Sequence, residues 1–251
     1  MKCVTLFRDN DHCWQVFGQD PDKPDNVIDT NQYAVHCGGS TILLDPGGME
    51  VFPGMMAALT REISLDQVSA LFLSHQDPDI GSSLPLWRRV CGKDIKIYLP
   101  WLWSGFTAHF DRDAVFTTIP DEGMEISVGG ARLRFIPAHY LHSSGNFSVY
   151  DPRARILFSG DMGAALVPLD KTGGSMFVTD FTSHVQYMDG FHRRWLGSTR
   201  ARDAWVAQVS KLDIDMLAPQ HGLIFKGDDV KRFLDWIAAL EIGSGLAAMN
   251  R

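Results

Sequence analysis

Leu71-Phe-Leu-Ser-His75-Gln-Asp77-Pro-Asp79-Ile80-Gly81 is the stretch on which the reading of this chain turns. The apolar run Leu71 to Leu73 reads as a buried strand that ends at Ser74. One imidazole and two carboxylates follow at alternate positions, His75, Asp77 and Asp79. Gly81, Ser82 and Ser83 then lead into an apolar, helix-like run from Leu84 to Val90. Metal ligands and catalytic groups are often carried by a polar loop at a strand end. Taken alone, the segment also has a plainer reading, a solvated loop in which Asp77 or Asp79 caps the next helix.

Three further segments repeat the design. Phe135-Ile-Pro-Ala-His139, Ile156-Leu-Phe-Ser-Gly-Asp161 and Met216-Leu-Ala-Pro-Gln-His221-Gly222 each place a histidine or aspartate just past an apolar run. Six candidate metal ligands thus come from four strand ends: His75, Asp77, Asp79, His139, Asp161 and His221. Imidazole and carboxylate without thiolate suit iron, zinc or manganese. Asp161, alone after its glycine, is the natural bridge between two metals. Singly, each residue reads equally well as a hydrogen-bonded core histidine or a turn aspartate. Together they favour a metal centre.

The rest of the chain reads as the frame of that site. Residues 1–8 alternate as an edge strand, and Gln32 to Cys37 with Ser40 to Asp45 form a hairpin around Gly38-Gly39. Val51 to Ile63 has helical spacing, and Leu65 to Leu73 returns as a strand. Pro100 to Phe110 reads as a helix whose aromatics, Trp101, Trp103 and Phe106, belong to the core. From Val115 to Tyr150 the pattern is β-rich, and Asn146 to Tyr150 pairs with Arg155 to Ser159. Residues 162–198 read as irregular, Thr199 to Leu212 and Asp228 to Leu240 as helices. Strand-rich blocks interleaved with helices predict sheets covered by helices in one domain, residues 1–251.

A net charge of −7 argues against nucleic acid and anionic membranes as partners. The four cysteines, Cys3, Cys13, Cys37 and Cys91, form no CxxC pair, which leaves a thiolate zinc site without support. No apolar leader or membrane-length run is present, so a cytoplasmic location is expected.

The ordered set HxDxD, His, Asp, His resembles the metallo-β-lactamase superfamily, and within it the flavodi-iron proteins and their stand-alone oxygen-binding di-iron relatives. Ser74-His-Gln-Asp-Pro-Asp-Ile-Gly-Ser-Ser-Leu-Pro85 is similar to the HxExDHxGSLP segment of that group. Ile156 to Asp161 is similar to its strand before the bridging aspartate, and Pro219 to Phe225 to its xxHGxIx segment. The resemblance runs from about residue 30 to about residue 240. It implies an α/β fold, the four-layer αββα sandwich of the metallo-β-lactamase type. It also implies that one metal takes His75, Asp77 and His139, and the other Asp79 and His221, with Asp161 bridging.

Two departures carry information. The common hydrolases of the superfamily have HxHxDH, with a histidine where this chain has Asp77, and the harder carboxylate favours iron over zinc. Ile80 stands where both larger groups place a histidine, so the second metal lacks one protein ligand. Such a site is either decayed or an iron with an open position for a diatomic gas. His142 either replaces that ligand or hydrogen-bonds one from behind, with Tyr140 beside it. His184 supplies a ligand, a proton or nothing.

The function this implies is a non-haem di-iron protein that binds or senses dioxygen, with two iron ions as cofactors (zinc or manganese as substitutes). Flavodi-iron proteins carry an FMN-binding domain after this one, and the chain stops at Arg251, so no FMN is expected in it. The expected partners are dioxygen or another diatomic gas and a signalling or redox protein, with a homodimer as an option. Three alternatives stand beside this: reduction of oxygen or nitric oxide with an external donor, hydrolysis of a phosphodiester, thioester or lactone, and a metal-free scaffold. Whether the chain is an enzyme is left open.

Overall fold

The chain is described here by a computed structural model over residues 1–249. It divides into two compact units, Met1–Phe135 and a second that begins at Ile136. Among the described residues the strands form two sheets, one of seven and one of six.

In the first unit seven strands lie in chain order: β1 (Lys2–Asp9), β2 (His12–Gly18), β3 (Gln32–Cys37), β4 (Ser40–Leu44), β5 (Val68–Phe72), β6 (Lys96–Pro100) and β7 (Phe116–Ile119). β1 to β4 pair antiparallel, and β4 to β7 pair parallel. Parallel neighbours need crossovers, and these carry α1 (Phe52–Leu59), α2 (Pro78–Gly81), α3 (Leu84–Cys91) and α4 (Ser104–Thr107). Leu43, Leu71 and Ile97 from the sheet bury against Met55, Leu59, Leu84 and Trp87 from the helices. The expected hairpin is present, with Val35 opposite Ile42 and His36 opposite Thr41. A second hairpin joins β8 (Met124–Val128) to β9 (Ala131–Pro137). Its turn meets the first one backbone to backbone: a Cβ on Gly38 would lie 2.3 Å from the Gly129 carbonyl oxygen. With φ near +52° and +57° at the two positions, only glycine fits.

The helix expected over Pro100 to Phe110 breaks into a 3-10 turn, Trp101–Trp103, and the four-residue α4. Pieces this short cannot cover their aromatics. Trp101 is 50% exposed, with its indole N–H donated to Asp121, and Phe106 is 63% exposed, so these two are not core residues.

In the second unit β10 (Phe147–Asp151), β11 (Ile156–Gly160), β12 (Met216–Pro219) and β13 (Phe225–Lys226) run in the order β13-β12-β11-β10, with β11 and β12 parallel. α5 (Phe181–Trp195), α6 (Thr199–Val209) and α7 (Asp228–Ala239) complete it. Leu157, Leu217 and Phe225 pack with Met188, Trp205, Phe233 and Ile237. α5 corrects the reading of 162–198 as irregular. Gly190 inside it and the crowded aromatics blur its period. Its end signals are nonetheless in the sequence. Asp180 caps it by accepting from the Thr182 and Ser183 N–H groups, and His192, Arg193 and Arg194 fill its last turn. The Ser183 hydroxyl bond, first among the causes, holds the Asp180 carboxyl below its usual range. Among the described residues no helix is long and apolar enough to cross a membrane.

Candidate metal centre

In the first unit the loop after β5 is set by a buried aspartate at the end of β4. Asp45 accepts from the Ser74 N–H at 2.7 Å and from the Ser74 hydroxyl at 2.6 Å. Ser74 Oγ also lies 2.9 Å from His75 Nδ1. The one hydroxyl proton goes to Asp45, so Ser74 Oγ accepts from an Nδ1–H, and Nε2 keeps its lone pair. That Nε2 lies 3.4 Å from Asp77 Oδ2. An imidazole nitrogen held this close to a carboxylate is satisfied by a proton or a cation between them, so the pair could hold a metal.

Asp77 occupies the N-cap place of α2 yet makes no side-chain cap hydrogen bond, which removes the plainer capping reading for it. Asp79 follows, half-buried, in the first turn. Ile80 is wholly buried and belongs to the apolar cluster of Leu71, Leu73, Leu84 and Trp87.

In the second unit Asp161 leaves β11 through Gly160, whose φ is +58°. The turn that holds it is tight: the Ser159 hydroxyl donates to the Met162 carbonyl at 2.5 Å, and the Ala164 N–H to the Asp161 carbonyl at 3.0 Å. Parallel pairing of β11 with β12 sets Gly160 beside Pro219, and the Gln220 N–H donates to the Gly160 carbonyl. Asp161 and His221 therefore leave the sheet at the same edge, with His221 Nε2 3.5 Å from Asp161 Oδ1. Gly222 is required behind His221, because a Cβ there would meet the Ala165 carbonyl oxygen at 2.6 Å.

The other oxygen of Asp161 faces His142, with Nε2 at 3.3 Å from Oδ2. The resemblance gives His139 to the metal of His75 and Asp77, with Asp161 bridging; in the structure it is His142, three residues on, whose Nε2 approaches Asp161. Leu141 anchors this loop in the core, and the residues on either side of it, Tyr140 and His142, take left-handed φ of +62° and +76°. Such backbone is uncommon for residues other than glycine, and no periodicity announces it. The His142 ring stacks on Phe191 and Trp195, with centroids at 5.8 and 6.5 Å. His139 meets the Phe147 ring edge-on and lines a cleft of about 400 Å³ with Tyr140, Ser198, Arg200, Trp205 and Gln208. Tyr140 is 64% exposed.

Two more histidines lie in α5. His184 is buried against Phe225 and Tyr187, its Nε2 has no hydrogen-bond partner, and burial pushes its pKa down to about 4. His192 donates Nδ1–H to the Met188 carbonyl and accepts the Gly163 N–H at Nε2, 3.0 Å away. Burial pushes its pKa down to about 4 as well. Sequence reasoning gave His192 no role, and its position in the last turn of a missed helix is the only signal that was available. The cysteines are free thiols, and burial pushes Cys3 and Cys91 up to about 11, so they stay protonated at neutral pH and are poor ligands.

Two sheets with helices, and imidazoles and carboxylates at strand ends, define a protein of the metallo-β-lactamase class. Residues 28–222 match the family described as ODP family beta lactamase, and the chain belongs to that family. A structure of the peroxy diiron species of chemotaxis sensor ODP is 38% identical, covers 100% of both chains and superposes with a TM-score of 0.86. The apo state of chemotaxis sensor ODP from T. denticola gives 38% identity, 100% and 99% coverage, and 0.87. A flavo di-iron protein mutant from Thermotoga maritima, at 22% identity over 94% of this chain and 60% of its own, shares the fold with a TM-score of 0.78. The type A flavoprotein fprA of Rhodobacter capsulatus is 25% identical over 81% of this chain and 47% of its own length. The chain thus spans about half the length of that curated relative.

Proposed function

We propose that this chain is a non-haem di-iron protein that binds dioxygen and reports its presence to a signalling or redox partner. The observation that carries this is the 38% identity, over the whole of both chains, to a chemotaxis sensor whose structure holds a peroxy diiron species. The donor set fits two irons: imidazoles with Nε2 toward carboxylates, while burial keeps the Cys3 and Cys91 thiols protonated. One iron would take His75, Asp77 and His142, and the other Asp79 and His221, with Asp161 between them. His142 takes the place of His139 in this set because its Nε2 lies 3.3 Å from Asp161 Oδ2.

Bound as a ferrous pair, the irons would supply the electrons that hold dioxygen. The chain's own contribution is orientation and exclusion. Asp45 and Ser74 fix the His75 tautomer. Phe191 and Trp195 cover one face of His142. Ile80 brings no donor, which would leave the second metal one protein ligand short.

Protein purified without oxygen should hold about two irons per chain and, on mixing with air-saturated buffer, develop a long-lived visible absorption band. Zinc alone in protein isolated from its native host, or colourless ferrous protein after oxygen, would overturn the reading. Similarity to a flavoprotein supports the second reading, reduction with an external donor. Sustained oxygen consumption with a supplied donor would favour it, and uptake of one oxygen per iron pair without turnover would count against it.

A further inference from the structure

We infer that α5 is the positioning element for the donors of the second unit: His192 sets the Asp161 turn while Phe191 and Trp195 set the plane of the His142 ring. This rests on the reading of Asp161 and His142 as iron ligands.

His192 is wholly buried in an apolar cluster, edge-on to Trp236 and Phe233. A polar group in such a place is costly unless its hydrogen bonds are made. Both ring nitrogens make one. Nδ1–H donates to the Met188 carbonyl one turn back, which locks the ring to its own helix. Nε2 reaches out of the helix to the Gly163 N–H, two residues beyond Asp161. Gly163 has φ +98°, and a Cβ there would come within 3.0 Å of the Phe225 ring and 3.2 Å of Leu217. The turn is therefore pressed against the core on one side and held by His192 on the other. An apolar side chain of the same size would fill the space and leave that N–H without its acceptor.

The same stretch of α5 holds the other donor. Phe191 and Trp195 are an i, i+4 pair whose rings stack at 5.1 Å and 14°. The His142 ring lies nearly parallel to both, at 24° and 17°. His142 is a left-handed residue in a loop, outside any helix or strand. Stacking supplies the constraint that the backbone does not. One helical turn thus governs the 3.3 Å approach of His142 Nε2 to Asp161 Oδ2, and a ligand pair needs to be held within a fraction of an ångström.

The test compares the full chain with His192→Leu, His192→Gln, Trp195→Leu and Asp161→Ala, titrated with cobalt(II) as the probe. His192→Leu should weaken cobalt binding about 10- to 100-fold and shift its visible spectrum. His192→Gln, which keeps an acceptor, should recover most of both. Trp195→Leu, at a half-exposed position, should shift the spectrum with a smaller loss of affinity. Wild-type affinity and spectrum in both His192→Leu and Trp195→Leu would overturn the inference. Should His192→Leu fail to fold, the spectrum of Trp195→Leu decides. Asp161→Ala separates the two failures: if it too binds cobalt like wild type, the ligand reading is at fault, and if it alone loses the metal, the role of α5 is.

Discussion

The loop after β5 and the loops of the second unit present the same kinds of side chain by different means. In the first unit one contiguous segment, Ser74 to Asp79, carries the donors, and the residue next to His75 holds its tautomer through Asp45. In the second unit the donors come from three places far apart in sequence. Parallel pairing of β11 with β12 brings Asp161 and His221 to one edge, while a loop with two left-handed residues swings His142 in from another. A contiguous segment displays its chemistry as spacing. A gathered set does not, because sheet order and loop handedness do the gathering.

The largest effect should come from the residue on which the two descriptions differ. His142→Ala should weaken binding of iron(II) or zinc more than about 100-fold, while His139→Ala should change it less than about threefold, both read by chelator competition. Equal losses would return His139 to the ligand set.

The next effect concerns the two buried histidines of α5, His184 and His192. His184 falls from an ordinary 6.5 to about 4 because burial disfavours its charged form. Between those values the unfolded chain binds more protons than the folded one. The stability this contributes is therefore present above about pH 6.5 and lost as pH falls toward 4. From pH 7 to pH 5 the loss from one such histidine amounts to about 2 kcal/mol. His192 acts in the same direction. His184→Leu should flatten the fall in urea-unfolding stability between pH 7 and 5 by roughly half. An unchanged slope would mean that the unfolding reaction does not titrate His184.

The smallest effect tests the local arrangement of the first unit. Ser74→Ala removes the hydroxyl between Asp45 and His75, and should weaken metal binding about tenfold with the fold intact, as followed by metal titration and thermal unfolding. No change would mean that the ring of His75 is set by packing alone.

Much of this was legible before any coordinates. The apolar runs at 71–73, 156–158 and 216–218 announced their strands, and the residues just past them, His75, Asp161 and His221, stand at the strand exits. The sequence left Asp77 open between donor and helix cap, and only the structure, where the cap bond is not made, separates the two. α5 was obscured by Gly190 and by aromatics on several faces, although Asp180 and the basic last turn marked its ends. Trp101 and Phe106 misled because an aromatic run reads as core whenever the length of the element is unknown.

The sequence by itself determined which side chains can donate, that no CxxC pair is present, and that position 80 offers no imidazole. These are properties of residue identity and short-range order, which need no fold to be read. Only the tertiary structure decided that His142 faces Asp161 and what holds it there. That choice depends on the sign of φ at Tyr140 and His142 and on a helix about fifty residues further along the chain, where packing against Phe191 and Trp195 selects one orientation of a ring that the backbone alone would leave free.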